Sequence, residues 1–156
     1  MTADTASGRG AGGGAPHDRY PDALLRSILQ TVRTIAVVGA SPNPTRPSNG
    51  VAGFLRRRGY RVFCVNPGHA GATVAGSPCV ARLADVPEPI DMVDVFRSLE
   101  HIGAVVDEAL ALEPLPKVIW TQLGLRDEAA ASRAEARGIT VIMDRCPAIE
   151  VPRLGL

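Results

Sequence analysis

The sequence predicts an α/β domain, a doubly wound, Rossmann-like, five-stranded parallel sheet flanked by helices. Three observations lead there. Five short runs rich in Val and Ile recur along the chain, helical or loop-like segments separate them, and the first run ends at a glycine. Apolar residues make up 46% of the chain but only six residues are aromatic, so aliphatic side chains must fill the core. Strands covered by helices on both faces suit that composition. Alternation of strands and helices with connections of this length implies parallel strands and right-handed crossovers.

Residues 1–18 are rich in Gly and Ala and lack apolar periodicity, which predicts a disordered tail ahead of one domain over residues 19–156. "YPDALLRSILQTV" then sets Leu24, Leu25, Ile28, Leu29 and Val32 on one helical face. The strands are expected at 34–39 (TIAVVG), 61–66 (RVFCVN), 91–96 (DMVDVF), 117–122 (KVIWTQ) and 139–144 (ITVIMD). Residues 49–58 carry Val51, Phe54 and Leu55 on one side and stop at Gly59. Residues 99–112 show i, i+3, i+4, i+7 periodicity after Ser98, a good N-cap, and residues 127–137 stop at Gly138. The stretch between the second and third strands is long, rich in Pro and Gly, and leaves room for a short helix near Ala81–Ala84.

A formal net charge of +1 gives no general attraction to nucleic acid or to an anionic membrane. The three arginines at 56–58 fall at a predicted helix C-terminus, where cations complement the helix dipole. No apolar run reaches the length of a membrane span, and the N-terminus lacks a signal-peptide core. Cys64, Cys79 and Cys146 share no C-x-x-C spacing and the three histidines no ligand spacing, so neither a metal site nor a disulfide framework is expected. The expected setting is a reducing cytoplasm, with a small molecule as ligand. A protein partner or a second copy of the chain remains open.

In sheets of this class ligands bind at the carboxyl ends of the strands, where strand order reverses. Four segments should converge there: Gly39–Ser48, Asn66–His69, Phe96–Ser98 and Gln122–Gly124. A dinucleotide fingerprint would need glycines at 39, 41 and 44, but the chain has Gly39, Ser41 and Pro44. The acid that grips an NAD ribose is also missing, because strand two ends in Asn66-Pro67. The turn still suits an anion. Gly39 admits close backbone approach, Ser41 and Thr45 offer hydroxyls, Arg46 supplies charge, and Ser48 and Asn49 begin the next helix. Across the cleft, His69 and Arg97 favour a ribose carrying an extra phosphate. Coenzyme A (CoA) has both a diphosphate and such a phosphate.

"VVGAS…RPS", "VNPGHAG", "LADVPEPIDMVDVFR", "WTQLG" and "VIMDRCPAIEVPRLGL" together resemble the small stand-alone CoA-binding proteins, which are similar to the CoA-binding domain of the succinyl-CoA synthetase α subunit. The resemblance runs from about Leu24 to Leu156. It implies that Gly39, Ala40 and Ser41 lie against the diphosphate of free or acylated CoA, with Arg46, Pro47 and Ser48 closing that side. Asn66 and Pro67 would border the adenosine. His69 would stand where the synthetases carry a lysine that reaches a CoA phosphate. Val95, Phe96 and Arg97 would border the nucleotide from strand three. Trp120, Thr121 and Gln122 match the end of strand four, with an amide in place of the synthetase glutamate. The synthetases' phosphohistidine domain and nucleotide-grasping subunit have no counterpart here, so the expected role is binding or sensing without catalysis.

Two other readings compete. An oxidoreductase using NAD(P) would need a donor or acceptor near the nicotinamide, and no Tyr-x-x-x-Lys pair is present. A scaffold could keep the fold without a ligand. Asp91 and Asp94, three apart on a strand, project to opposite faces and are unsuited to shared acid–base work. Trp120 and Cys64 read as core. Cys146, before Pro147, reads as a partly buried anchor for the C-terminal segment, and a mixed disulfide with CoA is its functional alternative.

Overall fold

The computed structural model describes residues 17–156. The expected tail at 1–18 therefore lies outside the described residues up to position 16, whereas His17 and Asp18 are held by contacts. His17 Nδ1 is 2.7 Å from the Tyr20 hydroxyl, and Arg126 donates to Asp18 at 2.8 Å.

Helix α1 (Asp22–Thr31) leads into β1 (Thr34–Val38), α2 (Pro47–Arg57) and β2 (Arg61–Val65). A hairpin of β3 (Thr73–Val74) and β4 (Ser77–Val80) follows. Then come β5 (Met92–Val95), α3 (Ile102–Leu110), β6 (Val118–Thr121), α4 (Glu128–Glu135), β7 (Thr140–Ile142) and α5 (Pro147–Arg153). The sheet order is β3-β4-β2-β1-β5-β6-β7, and every pairing is parallel except β3 with β4. The five expected strands are present, and β3 and β4 raise the count to seven. These two escape a sequence reading because they are two and four residues long. The turn between them also uses Ala75 and Gly76, both at positive φ, where alanine is an unusual residue.

The chain builds outward on one side of β1 and then returns to its other side with β5, so the reversal point lies between β1 and β5. Alternate β1 residues serve two cores. Ile35 and Val37 meet α1, α2 and α5, while Ala36 and Val38 meet α3 and α4. Asp127 caps α4 by accepting the Ala130 N–H at 2.9 Å. The expected cap by Ser98 is not formed. A 3₁₀ turn over Leu99–His101 precedes α3, and the Ser98 hydroxyl lies 2.7 Å from His101 Nδ1 instead. The C-terminal segment is helical, which its two prolines concealed: Pro147 occupies the first turn, where a missing N–H costs nothing. Arg153 bridges from α5 to Asp22 of α1 at 2.9 Å.

Trp120 is fully buried, and its indole N–H donates to the Arg145 carbonyl at 2.9 Å. That bond ties β6 to the loop that starts α5. Asp94 stands in register between Val37 and Trp120, wholly buried. Neither of its carboxylate oxygens has a hydrogen-bond partner among the described residues, and burial pushes its pKa well above the usual carboxylate range. Asp91 instead accepts the Arg33 and Thr34 N–H groups at 2.8 and 3.0 Å. The two carboxylates thus have separate environments.

Candidate functional site

Backbone bonds carry the ladder one residue past four of the strands at their carboxyl edge: Gly39 N–H donates to Val65 O, Asn66 N–H to Val80 O, Phe96 N–H to Val38 O and Gln122 N–H to Val95 O. Three residues past β7, Arg145 N–H donates to Thr121 O. The first residue of those four loops is therefore fixed, and the loops rise from a row of known spacing.

Gly39 has φ +86°, and a Cβ there would lie 2.9 Å from the Phe96 carbonyl oxygen and 3.0 Å from Arg97 Cδ. Only glycine lets the β1 turn fold this closely against the end of β5. The loop beyond is braced internally. Ser41 N–H donates to Ser48 Oγ at 2.9 Å, Asn49 Nδ2 to Ser41 O at 2.9 Å, and Asn43 N–H to Ser41 Oγ at 3.1 Å. Thr45 is exposed and donates its hydroxyl within the loop, to Asn43 Oδ1 at 2.8 Å. The Ser41 amide is thus committed to the protein, while the Ser41 and Ser48 hydroxyls each accept a bond and keep a proton to donate. Helix α2 carries no acid in its first turn, and Arg46 precedes it in extended conformation. The positive end of the helix dipole is uncompensated there.

Across from the turn, Asn66 Nδ2 donates to the Ala40 carbonyl at 2.8 Å and Asn66 Oδ1 accepts the Gly68 N–H at 3.0 Å. No carboxylate occupies this position. A cavity of about 380 Å³ opens between Gly39, Asn66, Pro67, Phe96 and Arg97 on the α3 side. A second, of about 270 Å³, is lined by Gly39, Ser41, Arg46, Pro47, Ser48 and Phe96. A third, of about 400 Å³, runs from Pro47, Phe96 and Arg97 to Gln122, Leu123 and Cys146. Phe96 borders all three, so they meet at this residue as one groove.

Ten of the fourteen residues singled out from the sequence line this groove: Gly39, Ser41, Arg46, Pro47, Ser48, Asn66, Pro67, Phe96, Arg97 and Gln122. Four do not. Val95 is fully buried in the core beneath α3 and α4, and Ala40 is fully buried with only its carbonyl engaged by Asn66. The Thr121 hydroxyl donates locally to the Leu125 carbonyl, and His69 is exposed on a 3₁₀ turn beside the groove. Neither Asp94 nor Asp144 pairs with Arg97; Asp144 lies 3.9 Å from Arg145. Sequence reasoning missed His101, Ala104, Val105 and Glu108, which face the first cavity from α3 and its preceding turn. The apolar spacing of Ile102, Val105, Val106 and Ala109 signals a core face and gives no hint that one edge of the helix borders a ligand cleft. Glu108 is partly occupied, accepting the Leu83 N–H at 2.7 Å.

A family model described as a CoA binding domain matches residues 33–152, from the start of β1 nearly to the end of α5. The chain belongs to the family of CoA-binding domain proteins. It is similar to the uncharacterized protein YneT of Bacillus subtilis, 39% identical over 124 residues, covering 80% of this chain and 89% of that one. Among solved structures it is similar to cell-free ID.343 from Thermus thermophilus, with 40% identity and a TM-score of 0.81, covering 86% of this chain and 99% of the other. A hypothetical protein from Pyrococcus horikoshii OT3 gives 33% identity and a TM-score of 0.82, covering 90% and 96%. No helix among the described residues is long and apolar enough to cross a membrane, and no cluster of metal-ligating side chains occurs among them.

Proposed function

We propose that this CoA-binding domain protein holds coenzyme A, free or acylated, along the groove around Phe96, and that it acts by binding or sensing rather than by catalysis. Residues 19–156 serve as one unit, working in the cytoplasm. The single observation that carries the reading is the meeting of the Gly39–Ser48 turn, Asn66 and Arg97 at Phe96. The diphosphate lies against the turn, where the Ser41 and Ser48 hydroxyls and the α2 N-terminus face it and Arg46 adds charge. Asn66 and Pro67 border the adenosine, and Arg97, with His69 beyond the rim, meets the additional ribose phosphate. Ala40, Val95 and Thr121 support this site through the backbone and the core. An NAD ribose would lack its usual acidic partner, because Asn66 is an amide already bonded to Ala40 and Gly68.

Calorimetric titration with CoA, dephospho-CoA, NAD and NADP tests the reading. CoA is expected to bind, with dephospho-CoA weaker by about 10- to 100-fold, the worth of one charge-assisted hydrogen bond. Binding of NADP without CoA, or of none of the four, overturns it.

A further inference from the structure

The third cavity differs from the other two in chemistry. Apart from Arg97 and Ser98 at its junction with the first, its walls are apolar or uncharged: Pro47, Val51, Phe96, Leu123, Gln122 and Cys146. Gln122 is only 8% exposed, and its Oε1 has no hydrogen-bond partner among the described residues. A buried acceptor left unpaired is costly, and a ligand N–H arriving in the cavity would satisfy it. Cys146 is 6% exposed and meets the same space. Its place is fixed on both sides. The Arg145 carbonyl before it accepts the Trp120 indole N–H, and its own carbonyl accepts the Ile149 and Glu150 N–H groups at 3.0 and 2.9 Å.

A CoA molecule whose diphosphate sits at the glycine turn has, leading away from it, an uncharged arm of methylenes and two amides that ends in a thiol. That is the chemistry the third cavity matches: apolar walls, one unpaired amide oxygen and a sulfur. Resting on the reading that the groove binds CoA, we propose that Cys146 accepts the CoA sulfur covalently, by thiol–disulfide exchange with CoA disulfide, while Gln122 holds an amide N–H of the arm. The Cys146 thiol gives its proton to solvent, and its sulfur attacks one sulfur of the CoA disulfide. The old S–S bond breaks, a bond between Cys146 and one CoA forms, and the departing CoA thiolate takes up a proton. A thiol reductant reverses the exchange. The other two cysteines are poorly placed for it. Cys64 and Cys79 face each other across β2 and β4, do not line the groove, and are both pushed up in pKa by burial, Cys64 to about 12.

The test treats the full chain with CoA disulfide and, separately, with glutathione disulfide, and locates any adduct by peptide mass spectrometry. Calorimetry with CoA under reducing conditions accompanies it. The expected result is one CoA on Cys146, removed by dithiothreitol and formed at least about tenfold faster than the glutathione adduct, because docking concentrates the disulfide at the thiol. Gln122→Leu should reduce that preference. Adducts confined to Cys64 or Cys79, or equal rates with the two disulfides, overturn the proposal. If CoA binds reversibly and Cys146 stays unmodified, the covalent step fails while the binding function stands. If CoA neither binds nor modifies the chain, both fall.

Discussion

The Asn66 side chain reaches across the sheet edge to the Ala40 carbonyl at 2.8 Å, tying the end of β2 to the turn that follows β1. The same amide's oxygen holds the Gly68 N–H at 3.0 Å. One side chain thus fixes two of the loops that flank the first cavity. Asn66→Ala removes both bonds, each worth about 0.5–1.5 kcal/mol. For a chain of this size, thermal unfolding should show a midpoint lowered by about 2–12 °C. Calorimetry should show CoA bound more weakly as the two loops lose their common anchor. An unchanged affinity would separate this brace from the ligand site.

Gly39→Ala should be the more damaging change. Its φ of +86° is strained for any side chain, and the new methyl would stand 2.9 Å from the Phe96 carbonyl. Strain of this kind costs about 1–3 kcal/mol. Urea unfolding should report at least that loss, and CoA affinity should fall with it because the turn must back away from Arg97. An alanine variant as stable as the parent would show that the turn relaxes freely.

Asp94 makes a prediction about pH. Burial raises its pKa in the folded chain, whereas in the unfolded chain it ionises near the ordinary value of about 3.9. Below that value it is protonated in both states and carries no linkage. As the pH rises above it, the unfolded chain releases the proton while the folded chain retains it, so the folded state loses relative stability until the raised pKa is reached. Asp94→Asn removes this titration. The stability of the variant relative to the parent should therefore rise with pH above about 4, read from denaturant unfolding at several pH values. A difference that is flat with pH would mean that the Asp94 carboxyl is not shifted in the folded chain.

The five long-range strands were legible because each is a Val- and Ile-rich run ending near a loop signal, as in "TIAVVG" and "RVFCVN". Helix α2 was legible from Val51 and Leu55, although it starts at Pro47, four residues before its apolar face begins at Val51. The β3–β4 hairpin was hidden by Ala75 at positive φ, and α5 by its prolines. At the site, position relative to the strand ends predicted most of the groove, because the backbone ladder fixes Gly39, Asn66, Phe96 and Gln122 whatever their side chains. Side-chain commitments were not legible. Thr121 lies at the correct edge yet turns its hydroxyl to Leu125, and the Ser41 N–H is taken by Ser48. Local sequence does not reveal which of several nearby acceptors a donor selects.

The strand order has a consequence for how the protein is made. β1 emerges from the ribosome early but occupies the middle of the sheet, and one of its edges stays unpaired until Met92–Val95 of β5 has been synthesised. The third cavity waits longer still, since its far wall includes Cys146, beyond the last strand β7. Nascent chains released early, or clipped ahead of α5, would lack that wall and the Arg153–Asp22 bridge. The groove thus closes only once the chain has been made through Cys146, long after the β1 turn that opens it.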